Sequence, residues 1–383
     1  MGWFEGGGGV RRQWVWHCPI TCYAGRMASR GKVVVGMSGG VDSSVAAALL
    51  QREGYEVIGI TLRLWPASED DVREDRCCGP HALSDARRVA GQLGIPHRVL
   101  DETPVFEREV LEYFSAEYQK GRTPNPCVVC NPRVKFGNLL QTARAMGAAH
   151  LATGHYARVE RTPTGCVLRR AKNLAKDQSY FLHRLSQEQL AGLLLPLGEL
   201  DKERVRALAH ELGLGVHAKK DSQDICFLPE DDYAAWLKKR LGAGGLHAGE
   251  FVSPDGRVLG RHDGIEIFTV GQRKGINVGS SKPLYVLSVD AAKRQVVVGD
   301  DAALWGREFV ARDCVWGPGG PVAAATPAKV QIRQRHEAAP ATLDPRSDGG
   351  VRVLFEAPQR AITPGQAAVF YDGDAVLGGG WIA

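Results

Sequence analysis

The chain has 383 residues, of which 44% are hydrophobic and 24% are charged, a composition typical of globular proteins with two or three domains. No uninterrupted apolar run approaches the roughly 18 residues that a membrane-spanning helix needs, so we expect no transmembrane segment. The net charge of +5 is too small to indicate nucleic-acid binding, so any RNA contact has to come from local basic patches.

The cysteines and the amino terminus indicate a reducing, cytoplasmic environment. Nine cysteines in a chain of this length, an odd number with no secretory signal before them, do not form a disulfide scaffold. Residues 1–28 contain a glycine run and three tryptophans without periodicity, so we expect a disordered or non-native extension there. Cys77 and Cys78 lie in a charged loop that we expect to cover the site, and we assign them no role.

Apolar, β-branched runs alternate with helical patterns between Lys32 and Ala152. The predicted elements, in chain order, are a strand at 33–36, a helix at 45–52, a strand at 56–64, a helix at 84–93, a strand at 96–100, helices at 106–120 and 138–146, and a short strand at 150–154. This alternation predicts an α/β fold with a doubly wound parallel sheet. Ligands of such sheets bind beyond the carboxyl ends of the strands, where we expect the loops after Gly36 and Thr61 and the turn at 153–155 to meet.

The second half of the chain changes character. Residues 184–215 have a helical pattern, and short β-rich runs separated by Gly, Pro and Asp-Gly turns begin after about residue 245. These β-rich runs are at 266–270, 283–290, 295–300, 328–335, 351–356 and 367–372. We therefore divide the chain into an α/β domain at 29–230, a small central β-rich domain at 231–303 and a C-terminal β-barrel at 304–383.

The first motif is Gly36-Met-Ser-Gly-Gly-Val-Asp-Ser-Ser44, between the first strand and an alanine-rich helix. Glycines allow a sharp turn whose N–H groups converge, and the helix N-terminus adds partial positive charge, so the motif predicts an anion cradle. Ser38, Ser43 and Ser44 can add hydroxyl donors. The lysine of a Walker A motif is missing. An ordinary glycine-rich turn is the alternative interpretation.

The second motif is Gly121-Arg-Thr-Pro-Asn-Pro-Cys-Val-Val-Cys-Asn131, where two prolines predict an extended loop that carries Cys127 and Cys130. Half of a zinc site and a thioredoxin-like redox pair are two possible interpretations. We favour a nucleophilic thiol on a loop that faces the substrate, because no second Cys-x-x-Cys pair exists and the prolines do not fit a thioredoxin motif.

The third motif is Asp221-Ser-Gln-Asp-Ile-Cys-Phe227. A cysteine between Ile225 and Phe227 is by default a buried core thiol. The polar run before Cys226 favours a surface loop instead.

Together these strings resemble the tRNA-specific 2-thiouridylases, which are PP-loop ATP pyrophosphatases. The resemblance covers about residues 30–383 and also rests on ATGHYAR at 152–158, AKDQSYFL at 175–182, FTVGQRKG at 268–275 and PGQAAVFYDG at 364–373. It implies ATP-dependent thiolation of carbon 2 of the wobble uridine, with adenylation of the oxygen, sulfur transfer from a cysteine persulfide, and Mg²⁺ to neutralise phosphate charge. The implied partners are tRNAs with Lys, Glu and Gln anticodons and a sulfur-relay protein or cysteine desulfurase. We expect a monomer.

The resemblance also implies roles for individual residues. The nucleotide-binding positions are Gly36, Met37, Ser38, Gly39, Gly40, Val41, Asp42, Ser43, Leu62 and Gly154. Asp42 would position the metal or the phosphate, with helix N-capping as the alternative role. Cys226 would carry the persulfide, and Cys130 would be the second thiol, which attacks the persulfide or forms a disulfide with Cys226. Asn125, Pro126 and Cys127 would line the pocket for the extracted base.

The implied tRNA contacts lie in three further segments. They are His155, Lys176, Asp177, Gln178, Arg333, Gln334 and Gln366. We expect Arg333 and Arg335 on one face of a strand by period-two alternation, with Gln334 where the family tends to have an aromatic residue. Two alternatives stay open: an amidating synthetase with the same cradle, such as a GMP or NAD synthetase, and a non-catalytic RNA-binding module.

Overall fold

The computed structural model describes residues 30–64, 80–219, 225–228 and 232–383. The expectations for residues 1–28, for Cys77 and Cys78 and for the polar run 221–224 lie outside the described residues.

The described part of the chain contains α-helices and β-strands in both halves. The helices are α1 (Val41–Arg52), α2 (Pro80–Leu93), α3 (Thr103–Phe106), α4 (Glu112–Gln119), α5 (Pro126–Cys130), α6 (Leu139–Ala145), α7 (Ser179–Leu182), α8 (Gln187–Ala191), α9 (Lys202–Glu211) and α10 (Tyr233–Leu241). The strands are β1 (Lys32–Gly36), β2 (Glu56–Arg63), β3 (His97–Asp101), β4 (His150–Ala152), β5 (Ala157–Thr162), β6 (Gly165–Arg170), β7 (Leu193–Leu194), β8 (Gly249–Val252), β9 (Val258–His262), β10 (Tyr285–Asp290), β11 (Gln295–Gly299), β12 (Trp305–Trp316), β13 (Thr326–Gln331), β14 (Ala339–Pro345), β15 (Val351–Arg360), β16 (Ala367–Asp372) and β17 (Ala375–Ile382). None of these helices combines the length and the apolar character needed to cross a bilayer.

The predicted doubly wound parallel sheet is confirmed, with strand order β3-β2-β1-β4-β7. Side chains of β1 alternate between two cores. Val33 and Val35 pack with α1, α2 and α9, and Val34 packs with the helices of the other face. The strand order reverses between β1 and β4, so the loops that leave these two strands open a crevice at their carboxyl ends. The predicted helical stretch 184–215 contains α8 and α9, but also the short edge strand β7.

The Cys-x-x-Cys motif lies on a helix, so the predicted extended loop is wrong from Pro126 onward. Wide π-helical turns at Asn131–Asn138 join α5 to α6, and similar turns at Glu107–Leu111 join α3 to α4. Pro126 is tolerated because the first helical residue needs no N–H partner. The carbonyl of Pro132 accepts a hydrogen bond from Gln189 Nε2 at 2.7 Å, which supports the wide turn.

The central segment forms a four-stranded sheet with order β10-β11-β8-β9. Strands β11 and β8 are parallel, and the other two pairings are antiparallel. The strand predicted at 266–270 is wrong. Ile265–Ile267 form a 3₁₀ turn, in which the buried Ile265 packs into the core of this sheet.

The last six strands close into a barrel of order β12-β15-β14-β13-β16-β17, because β12 also pairs with β17. The β5–β6 hairpin, from the first half of the chain, joins this sheet where Arg169 pairs with Ala375. The strand predicted at 328–335 ends earlier than expected, so Arg333 and Arg335 do not share a strand face. Strand β13 stops at Gln331, and Arg333 lies in a turn that the His336 N–H closes by donating to the Arg333 carbonyl at 3.0 Å.

Candidate functional site

The glycine-rich loop between β1 and α1 has its own hydroxyl network. Ser38 N donates to Ser43 Oγ at 3.1 Å, and Ser44 Oγ donates to the Gly40 carbonyl at 2.8 Å. Gly39 has a φ of 71°, and a Cβ there would lie 2.1 Å from the Ala82 carbonyl oxygen. Only glycine therefore fits at this position, and the loop leads directly into the N-terminal end of α1.

The turn after β4 contacts this loop directly. A Cβ at Gly154 would lie 2.6 Å from Ser43 N and 2.7 Å from the Asp42 carbonyl carbon. From the other side of β1, Thr61 Oγ1 donates to the Met37 carbonyl at 2.8 Å, and Leu62 follows at the carboxyl end of β2. The structure thus brings together the sequence-predicted positions Leu62 and Gly154 and the loop.

Asp42 is not the N-cap of α1, because that position belongs to Gly40. Its carboxylate accepts hydrogen bonds from Lys202 Nζ at 2.7 Å (Oδ1) and 2.8 Å (Oδ2), and from Tyr156 Oη at 2.8 Å (Oδ1). Sequence reasoning assigned no role to Lys202 or Tyr156. The signal that could have found Lys202 is a cation in the first turn of a helix, where the helix dipole disfavours it.

No group of three or more His, Cys, Asp or Glu side chains within the described residues is arranged to hold a metal ion. Magnesium is commonly held by one or two carboxylates together with substrate phosphates and water, so it needs no such group. Among the described residues, Asp42 Oδ1 accepts two hydrogen bonds and Oδ2 accepts one. Asp42 would therefore be the residue of the loop that helps to hold a magnesium ion arriving with nucleotide phosphates, and the ion would supply positive charge there.

A second lysine approaches the loop from the opposite side. Lys219 Nζ donates to Asp85 Oδ2 at 2.7 Å and to the Gly39 carbonyl at 3.4 Å. Lys219, Asp85 and Arg88 line a cavity of about 450 Å³ between α2 and the segment 215–219. The sequence analysis did not identify this group of charged residues, because nothing in the local sequence connects α2 with residue 219.

The two predicted sulfur-transfer thiols pack against one hydrophobic cluster. Cys130 is buried in it, together with Leu62 and Phe227, and Cys226 packs against its border. The ring of Phe227 anchors the Cys226 segment, with its centroid 5.2 Å from that of Phe114 in α4. The fold therefore holds two residues that are distant in sequence on the same core.

The loop before α5 is held by the C-terminal barrel. Thr123 N donates to the Pro364 carbonyl at 2.8 Å, and Gln366 Nε2 donates to the Thr123 carbonyl at 2.9 Å. A Cβ at Gly365 would lie 2.9 Å from Thr123 N, so the two segments are in close contact. Next to this contact, Asn125 lies near the buried Tyr180 hydroxyl. Gln366, predicted to touch RNA, supports the Cys-x-x-Cys segment in this structure.

Comparison with known proteins identifies the family. Family models match residues 31–230 (tRNA methyl transferase HUP domain), 235–300 (tRNA methyl transferase PRC-barrel domain) and 306–382 (Aminomethyltransferase beta-barrel domain). The tRNA-specific 2-thiouridylase MnmA of Acetivibrio thermocellus is 46% identical over 358 residues, which cover 92% of this chain and 99% of that protein. The same enzyme of Geobacter metallireducens is 49% identical over 362 residues, with 92% and 97% covered. The chain belongs to the tRNA-specific 2-thiouridylase family.

Among solved structures, a 4-thiouridine synthetase in an RNA complex with bound ATP is 18% identical, with a TM-score of 0.35 over 55% of this chain and 50% of that chain. The NMN synthetase from Francisella tularensis is 21% identical, with a TM-score of 0.32 over 51% and 67%. At such scores neither likeness bears on the activity of this 2-thiouridylase family member.

Several positions that the 2-thiouridylase resemblance assigns to tRNA are engaged inside the protein. The Asp177 carboxylate accepts hydrogen bonds from Ala171 N, Ser179 N and Ser179 Oγ, and its burial raises its pKa. Gln178 Oε1 accepts from Tyr156 N at 2.9 Å. Gln178 therefore fixes the backbone just after the β4 turn, and Asp177 fixes the segment 171–179. Lys176 ends a short 3₁₀ turn at 174–176 that includes the exposed Leu174.

Burial lowers the pKa of both His155 and Arg333. Burial lowers the pKa of His155 to about 3, with a smaller effect from Lys135, so this imidazole is neutral at physiological pH. Burial also lowers the pKa of Arg333, whose guanidinium donates to the Arg360 carbonyl at 2.9 Å. Gln334 is exposed in the turn that follows.

Proposed function

We propose that this protein catalyses ATP-dependent 2-thiolation of the wobble uridine of tRNA, giving 2-thiouridine, AMP and pyrophosphate. Membership of the 2-thiouridylase family over more than nine-tenths of the chain supports the reaction class. The observation that carries the proposal for this chain is the shared hydrophobic cluster. It joins Cys130, the Cys226 segment and Leu62 at the carboxyl end of β2.

The first step activates the base. The carbonyl oxygen of uridine is a poor leaving group, so attack of this oxygen on the α-phosphate of ATP converts it into the ester oxygen of AMP and releases pyrophosphate. The converging N–H groups of the loop at 38–43 favour binding of the phosphates. Asp42 positions the phosphates, and magnesium held by them and by Asp42 would neutralise charge on the transferring phosphoryl group.

The second step transfers sulfur. The terminal sulfur of a Cys226 persulfide attacks carbon 2, and AMP leaves with the original oxygen. The Cys130 thiolate then attacks Cys226 Sγ, which breaks the S–S bond, leaves the sulfur on the uridine and forms a Cys130–Cys226 disulfide. A thiol reductant reopens the disulfide. A cysteine desulfurase or a sulfur-relay protein restores the persulfide.

The proposal also assigns the residues that bind the uridine and the rest of the tRNA. Asn125, Pro126 and Cys127 line the pocket for the extracted uridine, next to the buried Cys130. The tRNA, with a Lys, Glu or Gln anticodon, lies against the segments that carry His155, Lys176, Asp177, Gln178, Arg333, Gln334 and Gln366. The contacts from Gln366 to the loop before α5 support this arrangement, because they join the barrel to the base pocket.

Separation of the two steps by a cysteine substitution tests the proposal. We expect Cys226→Ser to release pyrophosphate from ATP in the presence of unmodified tRNA and to form no 2-thiouridine, because activation needs no sulfur. Pyrophosphate is measured by a coupled assay and 2-thiouridine by mass spectrometry of digested tRNA. Cys314→Ser is the matched control. Burial raises the pKa of that barrel thiol to about 11, and we expect both steps to be retained.

Two results would contradict the proposal. Loss of pyrophosphate release in Cys226→Ser would show that the thiol is needed for activation or for folding of the site. Unchanged 2-thiouridine formation in both Cys130→Ser and Cys226→Ser would exclude the proposed persulfide and disulfide chemistry of these two thiols.

A further inference from the structure

Lys202 occupies an unfavourable position for a lysine. It is the first residue of α9, where the helix dipole repels a cation, and its side chain is only 6% exposed. Burial of an ammonium group is costly unless an opposite charge and hydrogen bonds compensate it. Asp42 provides this compensation, because both of its carboxylate oxygens lie within 2.8 Å of Lys202 Nζ.

The two side chains of the pair differ in exposure. The Asp42 side chain is 31% exposed, whereas the Lys202 side chain is 6% exposed. Tyr156 holds the same carboxylate through its hydroxyl, and Lys202 Nζ lies 5.8 Å from the centre of the Tyr156 ring. Asp42 is therefore fixed by two groups from distant parts of the chain.

The charge of Asp42 conflicts with the anion cradle around it. Asp42 belongs to the first turn of α1, where the loop and the helix N-terminus favour anions. An uncompensated carboxylate there would repel the phosphates of a nucleotide, since charge repulsion over a few ångströms is strong in a partly buried site. Lys202 opposes that repulsion, because its ammonium group is paired with the same carboxylate.

We propose that Lys202 is a positioning residue of the nucleotide site, which acts through Asp42 by neutralising its charge and fixing its orientation so that the loop at 38–43 accepts phosphates. This inference rests on the proposed function, because it assumes that the loop binds ATP. It differs from a phosphate-binding lysine in that the ammonium group does not contact the nucleotide.

A double-mutant cycle distinguishes these roles. The dissociation constant of ATP is measured by calorimetry for the wild type, Lys202→Met, and Lys202→Met combined with Asp42→Asn. We expect Lys202→Met to weaken ATP binding by about tenfold or more, because it leaves the carboxylate uncompensated. We expect the double variant to bind ATP at least about threefold more tightly than Lys202→Met, because it removes the uncompensated charge. ATP is titrated without magnesium, so that the loss of a metal ligand at Asp42 does not enter the comparison.

Controls separate charge balance from folding. Lys293→Met removes a lysine that pairs with Asp290 in the central sheet region at 3.5 Å, and we expect unchanged ATP binding. Thermal unfolding of every variant tests whether it folds. If Lys202→Met does not fold, Lys202→Gln carries the same comparison, because it retains a hydrogen-bond donor for the carboxylate.

Each result decides the inference. A double variant that binds ATP no better than Lys202→Met would overturn it and indicate direct contact between the ammonium group and the phosphates. Unchanged affinity in Lys202→Met would also overturn it. If the wild-type protein neither binds ATP nor releases pyrophosphate with tRNA, the proposed function fails instead.

Discussion

Gly154 lies against the first turn of α1 with no room for a side chain. The atoms that a Cβ would meet, Ser43 N and the Asp42 carbonyl carbon, belong to the backbone of the helix and cannot rotate away. The glycine is thus required by close approach, since its φ is not in the left-handed region. This contact couples the turn after β4 to the loop after β1.

Substitution of Gly154 tests that coupling. We expect Gly154→Ala to displace the N-terminal turn of α1, to lower the free energy of unfolding by about 1–3 kcal/mol and to weaken ATP binding by about tenfold or more. Gly91→Ala on α2 is the control. A Cβ there meets nothing within 4 Å, so we expect unchanged affinity and equal or higher stability. Unchanged ATP affinity in folded Gly154→Ala would mean that this turn does not shape the nucleotide site.

At the scale of elements, the short helix α7 packs between the α/β core and the barrel. Tyr180 in α7 is buried, and its hydroxyl donates to the Ala367 carbonyl at the start of β16. His183 follows α7, and its Nδ1 donates a hydrogen bond to the Tyr180 carbonyl at 2.8 Å. The His183 ring also packs closely against Gly379 of β17, because a Cβ at Gly379 would lie 2.6 Å from the ring. Burial lowers the pKa of His183 to about 3, so the folded protein holds it neutral.

This burial predicts a loss of stability in acid. Below about pH 6.5 the unfolded chain protonates His183 and the folded protein does not, so the free energy of unfolding falls as the pH falls from 6.5 towards 3. The contribution is about 2 kcal/mol at pH 5. We expect His183→Asn, which retains a donor for the Tyr180 carbonyl, to be less stable at pH 7 and to lose less stability between pH 7 and pH 5. Urea denaturation at both pH values measures this difference, and equal losses in both proteins would contradict the prediction.

For the whole molecule, the β5–β6 hairpin joins the α/β domain to the barrel. Asp374, in the turn between β16 and β17, accepts from Arg158 Nη2 at 2.5 Å and also pairs with Arg169. Its carbonyl accepts from Arg170 N at 2.7 Å. The barrel in turn holds the loop before α5 through Gly365 and Gln366. The loop before α5, which leads into the proposed base pocket, therefore depends on the docking of a domain that contributes no predicted catalytic side chain.

We expect Asp374→Asn to loosen this junction without unfolding the protein. The carboxylate is 42% exposed, so the loss of its two ion pairs costs about 1 kcal/mol or less. Amide exchange in the hairpin should accelerate by up to about fivefold, while exchange in the parallel sheet stays unchanged. Asp348→Asn is the control, because Asp348 also pairs with two arginines, Arg312 and Arg346, within the barrel region. Equal acceleration in both variants would contradict a specific role for Asp374 in the junction.

The sequence by itself determined the elements whose signal is local. Most of the βα units between Lys32 and Ala152 were predicted correctly, because the strands and helices have their own periodicity and because glycines follow helices such as α1 and α2. The exception is the segment from Pro126 to Asn138. The loop at 36–44 was recognisable because its glycines and its following helix are adjacent in the chain. The parallel sheet then had to bring Gly154 to the same edge, since all its strands run in one direction.

Only the tertiary structure decided the features that depend on distant partners. Lys202 pairs with Asp42, which lies 160 positions earlier in the chain. The β5–β6 hairpin contacts the barrel through Arg169 and Asp374, which are more than 200 positions apart. The wide turn that follows Cys130 is supported by the Gln189 side chain, which lies 57 positions after Pro132 in the chain. Periodicity reports the environment of a residue along its own element, whereas an ion pair or a strand pairing depends on what the rest of the fold places opposite it.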